Sequence, residues 1–196
     1  MPIKDTSIAW KTKVDFIDAR NMFGMLNGTG QGTGGPVSAA HSVSASELTD
    51  VLVGANGDEF YHFYRIPWDM DLGKNFRWRV IYSHSSTDAD TPVWTFDYMG
   101  IAEGEAVADI TSHEATTSTQ TVSTTANALG LTDWVTTNST SYITSTDHAI
   151  LMRWTSTSLG GASADEIELF GFEIQYTINA TASDGRRHTT EFEPVG

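Results

Sequence analysis

The sequence predicts an all-β protein, a β-sandwich, on three observations. About seven to nine short segments alternate apolar and polar residues with the period of a strand, turn residues separate them, and hardly any stretch sustains a helical period. The gaps between segments often exceed a tight hairpin, so the chain is expected to cross between two sheets in Greek-key fashion, as a jelly roll does, rather than to meander. Residues 1–54 read as an extended N-terminal arm, 55–180 as the jelly-roll-like sandwich and 181–196 as a C-terminal tail.

The arm contains the mixed segment IAWKTKVDFIDARNMFGML and then NGTGQGTGGP, residues 27–36, where five glycines and a proline rule out the interior of a helix or strand. In SASELTDVLVGANG, Ser46 fits the cap of a single helical turn and Val51-Leu52-Val53 fits a short strand equally well; both readings stand. EFYHFYRI (59–66) is a strand dense in aromatics, broken by Pro67-Trp68-Asp69. NFRWRVIYSH (75–84) sets Phe76, Trp78, Val80 and Tyr82 on one face, with Arg77, Arg79, Ile81 and Ser83 on the other. VWTFDYMGIAEG (93–104) sets Trp94, Phe96 and Tyr98 opposite Thr95 and Asp97. These two runs are expected to pair as a hairpin or as neighbours in one sheet, so that Arg77 or Arg79 faces Asp97, a contact worth roughly 0.2–1 kcal/mol.

ATTSTQTVSTT (115–125), rich in β-branched threonine and free of glycine and proline, reads as an edge strand in preference to a linker. LGLTDWVTTNSTSYITS supplies a turn, a short strand around Trp134 and a polar loop, and HAILMRWTS (148–156) is a strongly apolar strand. The last strand, EIELFGFEIQYTI (166–178), changes phase: Ile167 and Leu169 share one face, whereas Phe170, Phe172, Ile174, Tyr176 and Ile178 share the other. Gly171 lies at the switch and suggests a bulge that returns every apolar residue to one core. Without a bulge, Phe172 and Ile174 would face a second layer or a neighbouring subunit.

With 25 acidic and 11 basic residues the net charge is −14 and the pI about 4.5. Such a surface repels phosphate backbones and anionic lipid, so neither a nucleic acid nor a membrane partner is expected. No long apolar run follows the lysine in MPIKDTSIAW and none elsewhere reaches the roughly 18 residues of a membrane span, so a soluble protein without an export signal is expected. The chain has no cysteine, which removes disulfides, thiolate metal sites and cysteine nucleophiles.

No chemistry emerges from the remaining motifs. His41, His62, His84, His113, His148 and His188 are scattered without zinc-ligand spacing. Asp69-Met70-Asp71 and Asp88-Ala89-Asp90 read as turns in which aspartate bonds its own backbone. A nucleophile elbow and a phosphate loop are both missing, and the sequons at Asn27, Asn138 and Asn179 arise easily by chance in a chain so rich in Ser and Thr. No catalytic residue, cofactor or metal is therefore assigned. Most aromatics alternate with polar residues as core residues do. Trp68 and Trp134, next to turns, are the two that could serve as a sugar-stacking platform.

The glycine-rich N-terminal segment, the acidic Ser/Thr-rich sandwich, the strand-turn-strand IPWDMDLGKNFRWRVIYS and the closing DEIELFGFEIQYTI together resemble, over residues 59–178, the jelly-roll cement or decoration proteins of tailed-phage capsids. The resemblance implies a non-enzymatic virion protein, assembled in the host cytoplasm and placed on the outer capsid surface, where a homotrimer would bridge subunits of the major capsid protein. Trp10, Phe16 and Phe23 would then be anchors in the arm, with Phe172 and Ile174 as further interface candidates. Similar jelly rolls occur in fibres and carbohydrate-binding modules, and the alternative they imply is a glycan-binding sandwich using Trp68 and Trp134.

Overall fold

The computed structural model describes residues 11–24, 37–40, 49–53, 59–84, 91–105, 114–119, 128–158 and 167–178. The glycine-rich loop, Trp10, Asp88-Asp90 and the C-terminal tail lie outside the described residues. Twelve strands run through the described part: β1 (Lys11–Asp18), β2 (Phe23–Gly24), β3 (Val37–Ala40), β4 (Thr49–Val53), β5 (Glu59–Arg65), β6 (Arg77–His84), β7 (Val93–Ala102), β8 (Glu114–Thr119), β9 (Gly130–Leu131), β10 (Val135–Thr136), β11 (Asp147–Ser158) and β12 (Ile167–Ile178).

Antiparallel pairing assembles them into two sheets. The first has seven strands in the order β10-β6-β12-β4-β3, with β1 beside β12 and β9 beside β6; the second has five, β2-β5-β11-β7-β8. This is the all-β sandwich that the alternation predicts. Neighbours are distant in sequence, β6 beside β12 and β5 beside β11, as the long gaps between strands require. β4 resolves the ambiguity after Ser46 in favour of a strand, and β8 sits at the edge of its sheet as its threonines suggest.

The expected neighbourhood of residues 75–84 and 93–102 is wrong. β6 lies in the first sheet and β7 in the second. Their apolar faces meet across the interior: Phe76 lies 6.1 Å from Phe96 and 5.3 Å from Tyr98, and Trp78 lies 5.3 Å from Phe96, between ring centroids. Two strands each dense in aromatics on one face bury more ring surface by stacking face to face than by lying edge to edge. Arg77 and Arg79 consequently never meet Asp97. Asp97 accepts hydrogen bonds from Arg153 on β11, Nη2 at 2.8 Å and Nε at 3.0 Å.

The phase switch in β12 is a bulge. Leu169 pairs with Tyr82 and Gly171 with Ile81, so Phe170 is the extra residue, and Ile167 and Leu169 share the core with Phe172, Ile174 and Tyr176. Phe172 and Ile174 are 0 % exposed within the single chain, which corrects their proposed role as interface residues. Phe172 stacks on Trp154 with centroids 4.2 Å apart and meets Trp94 at 5.8 Å and Phe60 at 6.0 Å. A glycine is needed at 171 because β1 passes so close: a Cβ there would lie 2.3 Å from the Ile17 carbonyl oxygen and 2.7 Å from the Phe16 ring.

Residues 1–54 are likewise no free arm in their described part. β1 pairs with β12 from Lys11 opposite Ile178 to Asp18 opposite Gly171, and Ile17 and Ala19 are buried in the core. β4 continues the same sheet edge against Ile167–Leu169, and β2 joins β5 in the other sheet. Strand-forming segments close to an unpaired sheet edge lower their free energy by satisfying its backbone groups.

Candidate functional site

An open groove of about 940 Å³ lies at one end of the second sheet, between the end of β5 with its following turn, the end of β7 and the start of β11. On β5, Phe60 and Tyr64 point into the core, so Phe63 and Arg65 point out, and Phe63 is 52 % exposed. Trp68 follows in the turn, 61 % exposed.

The turn is fastened on every side except that of Trp68. Met70 N–H donates to the Pro67 carbonyl at 3.1 Å, Met70 itself is buried and bridges to Ile178, and Asp71 N–H donates to the Thr177 carbonyl at 2.8 Å. Asp69 is buried and ion-paired with Lys13 of β1. Nearby, the Tyr64 hydroxyl donates to Asp15 Oδ2 at 2.5 Å; burial and that acceptor push the Tyr64 pKa far up. Tyr176, buried and facing Asp15 and Asp69, is raised to about 12. With both flanks pinned inward, the indole of Trp68 is held out over the groove. Asp71 behaves as the turn residue expected, accepting from Gly73 N–H at 2.9 Å.

The groove floor comes from one cross-strand row, in which Arg65 is opposite Ala149 and Ala149 is opposite Ile101. In the next row Phe63 is opposite Leu151, which is opposite Met99, and of these Phe63 lines the groove. Met99 and Ile101 are buried in a small apolar cluster with Tyr61 and Leu151 on this outer face. Among the described residues, four titratable groups line the groove: Arg65, Glu103, Asp147 and His148. Asp147 is buried, accepts the Thr144 N–H at 2.7 Å, and lies so close to β7 that a Cβ on Gly100 would come within 2.2 Å of its Oδ2. The adjoining row is locked as well: Arg153 bridges Asp97 and Glu59, whose carboxylate also accepts the Tyr61 hydroxyl at 2.9 Å. Burial, then the hydrogen bond to Glu59, raises the Tyr61 pKa.

The second tryptophan chosen from the sequence is situated differently. Trp134 is half-buried before β10, with the Arg79 guanidinium 4.5 Å and that of Arg77 5.5 Å from its ring centroid. Arg79 in turn donates to Glu173 at 2.5 Å, and Arg77 donates to Gln175. Trp134 is thus a wall of a polar ladder, and its expected use as a glycan platform is not supported by this geometry.

Among the other chosen residues, Phe16 and its neighbour Val14 are exposed on β1, 52 % and 46 %. Phe23 belongs to β2 by its backbone, its side chain lying outside the described residues, as does Trp10 altogether. Phe63, Arg65 and His148 were not singled out by sequence reasoning. A signal existed for Phe63, since EFYHFYRI carries aromatics in both phases and one phase must face out. Among the described residues, no cluster of three or more metal-ligating side chains occurs and no helix is long and apolar enough to cross a membrane.

No family model and no curated protein matches the sequence. Among solved structures the chain is similar to the CBM36-1 domain of a multidomain xylanase from the hindgut metagenome of Trinervitermes trinervoides. That likeness has 8 % identity, covers 83 % of this chain and 96 % of that one, and has a TM-score of 0.44.

Proposed function

We propose that the protein is a glycan-binding β-sandwich whose binding site is the groove under Trp68. The observation that carries this reading is an indole pinned in an exposed position beside a second exposed aromatic, Phe63, over a groove with polar groups at its rim. Flat aromatic faces pack against the C–H faces of pyranose rings, while carboxylates, imidazoles and guanidinium groups satisfy the hydroxyls. The volume, about 940 Å³, has room for a short oligosaccharide segment. A glycan array followed by affinity electrophoresis tests it: retention by at least one polysaccharide, lost in Trp68→Ala, is expected. Silence across a broad array sinks the proposal.

A second reading, the trimeric cement protein bound to the major capsid protein on a phage head, keeps one support. Val14 and Phe16 form an exposed apolar pair on β1, whose far edge is unpaired among the described residues. Native mass spectrometry and the protein's copy number in purified virions test it. A monomer absent from virions removes this reading.

A further inference from the structure

We infer that the groove selects a sugar carrying a carboxylate, a uronic acid unit, and that Arg65 is the residue that reads it. The inference rests on the glycan-binding reading above and deepens it. Asp147 is buried and committed to the Thr144 amide. Glu103 stands two residues beyond Ile101 at the far side of the groove, with β11 between β7 and β5. Two strand spacings, about 10 Å, therefore separate the β7 and β5 backbones. Arg65 is exposed and has no partner among the described residues.

Register explains why. The residue opposite Arg65 is Ala149 and the next along the row is Ile101, both buried, so the guanidinium rises from an apolar floor that offers it no acceptor. Every other arginine whose partners are known in this fold differs: Arg77 faces Gln175, Arg79 faces Glu173 and Arg153 faces Asp97. A planar fork left open between Phe63 and the Trp68 turn matches the planar geometry of a carboxylate, which can accept two parallel N–H bonds while the sugar ring packs on the aromatics. His148 lines the same groove and supplies a ring N–H in either charge state. The net charge of −14 opposes anions at long range. Screening limits that opposition to about 8 Å at physiological salt, so the local fork decides the contact.

The experiment compares the full chain, Arg65→Met and Trp68→Ala by titration calorimetry against an oligogalacturonate, its uncharged reduced counterpart and a sulfated oligosaccharide of similar length. The readout is the ratio of affinities for the uronate and the neutral sugar. A ratio of about ten or more in the wild type is expected, falling to about one in Arg65→Met, while Trp68→Ala weakens both sugars and leaves the ratio high. A wild-type ratio near one, a ratio unchanged in Arg65→Met, or a preference for the sulfated sugar overturns the carboxylate inference and leaves the groove reading intact. No binding of any sugar, or binding indifferent to Trp68→Ala, overturns both.

Discussion

Trp68 and Trp134 are built from the same ingredients and come to opposite ends. Each lies beside a turn, each has arginine nearby, and each belongs to the outer side of a sheet. On the first sheet, register places Glu173 opposite Arg79 and Gln175 opposite Arg77, so the guanidinium groups are satisfied and Trp134 closes the ladder as a wall beside them. At the end of the second sheet, register places Ala149 opposite Arg65, and the turn that carries Trp68 is tied down by Asp69 and Met70. What stands opposite an arginine decides whether it becomes structure or remains available. The same applies to an indole, whose free face depends on how its neighbours are anchored.

Removing each ring in turn separates the free indole from the covered one. Trp68→Ala should weaken glycan retention by about a hundredfold, the loss typical of a dominant aromatic anchor, with the melting temperature within about 1 °C of wild type. Trp134→Ala should leave retention unchanged. If both variants retain sugar equally, the distinction between a free and a covered ring has no functional content. Next in size is Gly171→Ala, which drives a Cβ into the Ile17 carbonyl and the Phe16 ring. Because backbone must give way, a loss of about 1–3 kcal/mol is expected in urea denaturation. A neutral result would mean that β1 is held loosely against β12.

Much of this was legible in the chain. The two-residue period in NFRWRVIYSH and VWTFDYMGIA identified their buried faces correctly, and the lapse of that period at Gly171 marked the bulge before any pairing was known. Trp68 stood out because proline and aspartate flank it in a turn. Pairing partners were another matter. Two aromatic strands close in sequence fit a hairpin as well as they fit opposite layers, and nothing local distinguishes the two. The Arg79–Glu173 contact spans 94 positions and the Arg65–Ala149–Ile101 row joins three distant strands, so neither the covered tryptophan nor the open arginine could be found from spacing alone.

On the first sheet, the ion pair and the ring above it contribute less. In a double-mutant cycle of Arg79→Met and Glu173→Ala, a coupling of about 0.5–1 kcal/mol is expected, as for partly exposed ion pairs. Trp134→Ala should cost about 1 kcal/mol through the lost cation–π contact. Equal costs for Trp134→Ala with and without Arg79 would show that the indole is held by packing rather than by the guanidinium.

The two faces of β5 itself differ as well: Phe63 and Arg65 open onto the groove while His62 faces inward between Phe60 and Tyr64. Burial lowers the His62 pKa below its ordinary value of 6.5. The folded state therefore holds this imidazole neutral where the unfolded chain takes up a proton, so its contribution is intact above pH 6.5 and declines as the pH falls below that value. Urea denaturation of the wild type at pH 7.5 and 5.5 should show a loss of under about 1 kcal/mol that His62→Gln reduces. The rest of the chain is common to both proteins and cancels in the difference. An identical pH dependence in the variant would place the imidazole in contact with water and remove the inward face as the explanation for its shift.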